Sequence, residues 1–113
     1  MLNEIFGFDF CINLLNNAID SAYGKYIVFA TRTHKDMAPT YIVEKEELKT
    51  FLKRRLEHRT IWKLDSYKSQ GSPLTIIECQ DSNRFYRYTL KPATDEQLEF
   101  CVQTTGKDLE EIA

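Results

Sequence analysis

One hundred and thirteen residues, 42% hydrophobic and 28% charged, suffice for one hydrophobic core and leave no material for a second. Fifteen Lys plus Arg stand against seventeen Asp plus Glu, a net charge of −2, which excludes both an all-over basic coat for nucleic acid and an extreme acidic mimic. Four Gly and three Pro beside 12% aromatic residues exclude a collagenous, low-complexity or disordered chain.

The first element is a core helix. From Asp9 to Tyr23, residues Phe10, Cys11, Leu14, Leu15, Ala18, Ile19 and Ala22 recur at helical spacing, with Asp9 as N-cap and Gly24 as the stop. Lys25 to Thr33, rich in Tyr26, Ile27, Val28 and Phe29, reads as a strand, and Thr40 to Val43 as a second after a turn at Asp36 to Pro39. From Glu44 the period changes to that of a helix with Leu48, Phe51, Leu52 and Leu56 on one face. Its acids open the first turn and Arg55, His58 and Arg59 close the last, the order that the helix dipole favours. Three strands follow, Thr60 to Tyr67, Leu74 to Gln80 and Asn83 to Leu90, and their short connections imply an antiparallel meander. Pro92 ends the last strand. Thr94 and Gln97 have the spacing of a capping box, which predicts a helix from Asp95 to about Thr104, ended by Gly106, with a final turn over Lys107 to Ala113. The order α-β-β-α-β-β-β-α gives a single α+β domain over residues 1–113, with a largely antiparallel sheet of four to five strands and helices on one face.

Charge is segregated along the chain. Residues 49–91 carry ten Lys plus Arg against four acids, whereas residues 92–113 carry one against six. Cys11, Cys79 and Cys101 are odd in number, widely spaced and without C-x-x-C, which points to free thiols in a reducing cytoplasm. His34 and His58 adjoin no cysteine, so neither a metal site nor any other cofactor is expected. The apolar stretch from Ile5 to Tyr23 is broken by Asp9, Asn13, Asn16, Asn17 and Asp20, which argues against a signal peptide or membrane span.

Within residues 44–104 the order helix, three strands, helix resembles the topology of double-stranded RNA-binding domains. That resemblance implies a lysine cluster opening the second helix to grip phosphate. The corresponding stretch here reads Ala93-Thr94-Asp95-Glu96-Gln97, whose acids repel phosphate, so the family's activity is not expected.

No G-x-S-x-G, Walker loop or G-x-G-x-x-G occurs. A nucleophile would require Cys11, Cys79 or Cys101 beside His34 or His58, but each cysteine lies in an apolar pattern typical of a small core residue. With no catalytic constellation, the sequence points to a regulator or inhibitor that occupies another protein's surface, of the size of stand-alone immunity or phage anti-defence inhibitors. The acids Asp95, Glu96, Glu99, Glu110 and Glu111 would suit the basic groove of a nucleic-acid enzyme, and Arg84, Tyr86 and Tyr88, alternating on one strand face, would serve as interface anchors. An exposed aromatic sheet face could also be covered by a second copy, as a homodimer. The alternative is direct nucleic-acid binding through Lys53, Arg54, Arg55, Arg59 and Lys63, with Trp62, Tyr67, Tyr86 and Tyr88 stacking on bases.

Overall fold

The computed structural model describes residues 1–33 and 39–112. His34 and the Asp36 to Ala38 part of the expected turn lie outside the described residues. In chain order the elements are α1 (Leu2–Phe6), α2 (Phe8–Ala22), β1 (Tyr26–Thr33), β2 (Thr40–Glu44), α3 (Lys45–Glu57), β3 (Thr60–Ser69), β4 (Ser72–Gln80), β5 (Phe85–Pro92), α4 (Asp95–Phe100), β6 (Gln103–Thr104) and α5 (Gly106–Ile112). The α+β class follows directly, with six strands in the sheet where four or five were expected.

Strand order is β3-β4-β5-β1-β2-β6, antiparallel at each junction except the parallel β2–β6 pair. The helix, three strands, helix order is present, but β1 and β2 extend the meander beyond β5. The hairpin between β3 and β4 is tighter than the sequence suggested. Its strands pair as far as Ser69 and Ser72, joined by Gln70 and Gly71 at φ 54 and 80. Two consecutive positive φ values match the right-handed twist of the flanking strands, as in a type I′ turn.

Directly paired residues share a sheet face, so register defines the core. Ile61 lies opposite Cys79 and Cys79 opposite Tyr86, Leu64 opposite Ile77 and Ile77 opposite Tyr88, and Ile27 opposite Val43. Onto that face pack Cys11, Ile12, Leu15 and Ile19 of α2, Leu48, Phe51, Leu52 and Leu56 of α3, and Leu109 of α5. Each such buried aliphatic contributes on the order of 1.5–3 kcal/mol. Tyr23, at the end of α2, fastens the helix to the sheet: its hydroxyl donates to the Leu90 carbonyl and shares a 2.8 Å hydrogen bond with Thr75.

Three boundaries differ from the sequence reading, each for a local reason. Gly7, at φ 88, separates α1 from α2, so Asp9 falls in the first turn of α2 and is not its N-cap. The capping box is present, with Gln97 N–H donating to Thr94 Oγ1 and Thr94 N–H to Gln97 Oε1. The helix that it opens nevertheless stops at Phe100, because Cys101 turns extended and the chain pairs with Ile42 and Val43 as β6. Gly106 opens α5 where it was expected to close a helix. A Cβ there would come within 3.2 Å of Glu47 Cβ, so the missing side chain permits close approach to α3.

Candidate interaction surface

Fold geometry redistributes the residues singled out in the sequence. Asp95, Glu96 and Glu99 are exposed on α4, while Glu110 and Glu111 sit on α5, so the acidic C-terminal region comprises two short helices separated by β6. Within it, Glu110 is engaged internally: its carboxylate lies 4.0 Å from Arg54, and its carbonyl accepts a 2.9 Å bond from Arg55.

The Arg84, Tyr86 and Tyr88 anchor set is corrected. Tyr88 is 0% exposed, in the core against Phe29 and Phe51, and Tyr86 is half-buried, so only Arg84, ahead of β5, projects freely. Alternation identified a shared face, but helices α2 and α3 cover that face. Arg59 closes its rim. The guanidinium stacks 3.9 Å from the Tyr86 ring and donates to Tyr88 Oη and, at 3.6 Å, to Cys79 Sγ. Burial pushes the Tyr88 phenol and Cys79 thiol up, against the opposing pull of the Arg59 charge.

The basic run also disperses. Lys53 and Arg54 are exposed on α3, Arg55 lies over the Phe51 ring, Arg59 is held by the tyrosines, and Lys63 lies on the other sheet face, opposite Glu78. These residues therefore do not form one phosphate-tracking surface. Trp62 and Tyr67 remain exposed, unlike the other two aromatics of the stacking set.

Among the described residues, no group of three His, Cys, Asp or Glu side chains is placed to hold a metal. Cys11 and Cys79 are buried and Cys101 is exposed; all three are free thiols. Burial raises Cys11 as it does Cys79. Arg59, not histidine, donates to Cys79, and His58 caps the exposed end of α3. His58, Arg59, Trp62 and Asp81 border a shallow hollow of about 440 Å³. The Asp81 carboxylate is held low by the backbone N–H groups of Asn83 and Arg84, a turn-forming role. No described helix is long and apolar enough to cross a membrane.

The main surface feature was missed in the sequence. Ile5 (69% exposed), Phe6 (56%), Phe10 (53%) and Leu14 (49%) form an apolar stripe along α1 and α2. The Phe6 and Phe10 rings lie 5.4 Å apart, and Phe10 and Leu14 are one helical turn apart. Helical periodicity alone groups both with the core. The available signal was excess width: Cys11, Leu15 and Ile19 already form a complete core-facing stripe, leaving Phe10 and Leu14 on another side of the helix. Residues 1–24 contain Glu4, Asp9 and Asp20 and no Lys or Arg, and of these acids Asp20 is paired with Lys49 of α3 at 2.9 Å. Phe100 and Val102 add a second exposed apolar site beside β6. A scan of the sequence against protein-family models finds no match, and searches of curated proteins and of solved structures find none.

Proposed function

We propose that this chain is a protein-binding regulator or inhibitor that acts by covering a partner's surface, without making or breaking a bond. The exposed Ile5, Phe6, Phe10 and Leu14 stripe is the observation that carries this reading. Aromatic and aliphatic side chains held half exposed on helices are the raw material of interface anchors. Glu4 and Asp9, the acids flanking them, favour a partner with an apolar groove bordered by Lys or Arg, as on an enzyme that handles nucleic acid. Exposed α4, with Asp95, Glu96 and Glu99, leads into β6 at the other edge of the sheet from α1 and offers a separate acidic surface to a basic partner. The three free thiols are consistent with a cytoplasmic site of action. A small inhibitor of the immunity or anti-defence kind is the concrete form of this reading.

The test is affinity capture from the source organism with the wild-type chain, the Phe6→Ser/Phe10→Ser variant and a Glu96→Lys/Glu99→Lys variant, accompanied by solution mass. A partner retained by the wild type and lost from the serine variant supports the proposal, and binding of that partner in purified form confirms the surface. A doubled solution mass abolished by the serine variant would show instead that the stripe is covered by a second copy. Equal capture of every partner by all three proteins, with monomeric mass, would overturn the proposal.

A further inference from the structure

A second surface arises on the sheet face opposite the main core. Arg32 on β1 lies directly opposite Arg87 on β5, and Arg87 lies opposite Glu78, which lies opposite Lys63. Both arginines are exposed, as is Lys91 farther along β5. Like charges paired directly across strands destabilise a sheet, so this arrangement carries a cost that a bound anion would remove. Glu78, opposite Arg87, offsets part of that cost, but Glu78 also faces Lys63 at 3.9 Å and Asp65 lies 3.5 Å from Lys63, while Arg32, Arg87 and Lys91 form no ion pair with a described residue.

Aromatic surface adjoins these cations. Phe85 is two residues from Arg87 on the same face and lies opposite Gln80, whose side chain accepts a 3.1 Å bond from the Trp62 indole. Trp62 is exposed, and Phe85 is half-exposed. We propose that this face binds single-stranded nucleic acid, with Arg32, Arg87 and Lys91 engaging phosphates and Trp62, across Gln80 from Phe85, stacking on a base. Guanidinium forks suit phosphate, and base stacking tolerates any sequence. The aromatics favour nucleic acid over an acidic protein. This surface is distinct from the α1–α2 stripe and shares with the nucleic-acid reading of the sequence only Trp62 and, through its neighbours, Lys63.

The experiment is fluorescence anisotropy of labelled oligothymidine and oligouridine, read alongside the intrinsic emission of Trp62, the one tryptophan in the chain. Expected are binding at low salt, quenching of Trp62, and a log-affinity against log-salt slope of about −2 for three phosphate contacts on a single strand. Arg32→Gln/Arg87→Gln should lower affinity about tenfold or more and shrink that slope to about −0.7. Lys53→Gln/Arg54→Gln should bind as the wild type does. Circular dichroism of each variant establishes that it is folded. The proposal is overturned by absence of binding at low salt, by full affinity in the Arg32 and Arg87 variant, by unquenched Trp62 at saturation, or by competition from polyglutamate as effective as that from oligonucleotide.

Discussion

Asn3 completes the outer edge of the sheet at Ile61. Its Oδ1 accepts the Ile61 N–H at 3.0 Å, and its Nδ2 donates to the Arg59 carbonyl at 2.8 Å, so one side-chain amide offers what a neighbouring strand's peptide would. This contact ties α1 to the start of β3 and thereby holds Phe6 beside Phe10. Asn3→Ala strands both backbone groups and should cost about 1–2 kcal/mol. Thermal unfolding should show a midpoint lower by about 4–8 °C for each kcal/mol lost. An unchanged midpoint would mean that this tether contributes nothing to stability.

Alkaline pH should unfold the protein through its buried thiols and phenols. Burial raises Cys11, Cys79, Tyr23 and Tyr88 above their ordinary values, opposed at Cys79 and Tyr88 by Arg59 and at Tyr23 by Thr75. Because the folded state binds these protons more tightly than the unfolded chain, their stabilising contribution is complete below the unfolded pKa values. It is lost as pH rises from those values through the higher folded ones. Urea midpoints should therefore hold steady near neutrality and fall from about pH 9 upward, first through thiols and then through phenols. A midpoint that stays level to pH 11 would contradict the burial of these groups.

How much was visible in the sequence depends on how local each cause is. Leu48, Phe51, Leu52 and Leu56 repeat within one helix, and Thr94 and Gln97 satisfy each other three residues apart, so α3 and the start of α4 could be read directly. The end of α4 could not, since it depends on pairing of Gln103 and Thr104 with β2, some sixty residues away in the chain. The same limit concealed the Arg32 and Arg87 face. Alternation placed Tyr86 and Tyr88 together, but only packing decides which sheet face receives the helices. Arg32 and Arg87 become neighbours solely through the β1–β5 register, whereas the conspicuous run from Lys53 to Lys63 is divided among a helix face, a core rim and the opposite side of the sheet.

Hairpin geometry supplies a stabilising substitution. Gln70 adopts φ 54, in the left-handed region, ahead of Gly71 at φ 80. Asn tolerates that region better than Gln, and Asn-Gly is the preferred pair for such a turn. Gln70→Asn should raise stability by about 0.5 kcal/mol, whereas Gly71→Ala should lower it by about 1 kcal/mol despite the open space around Gly71. Matched urea denaturation curves would read both; a stabilised Gly71→Ala variant would refute the turn assignment.

Phe10 and Leu15 separate surface from scaffold on a single helix. Leu15 is 3% exposed within the main cluster, and Phe10 is 53% exposed beside Phe6. Truncating Leu15 to Ala removes packed methyl groups and leaves a cavity, at a cost of about 2–5 kcal/mol. Phe10→Ser removes a ring already half in water and should cost about 1 kcal/mol, well below the Leu15 change. If the stripe is the binding surface, partner affinity must show the reverse order: lost in the folded Phe10→Ser protein and retained by whatever fraction of Leu15→Ala remains folded. Calorimetric titration with the purified partner, run on both variants after their unfolding midpoints are known, measures the two effects separately. Loss of stability and of binding in the same proportion for Phe10→Ser would assign the ring to the core and remove the stripe as a surface.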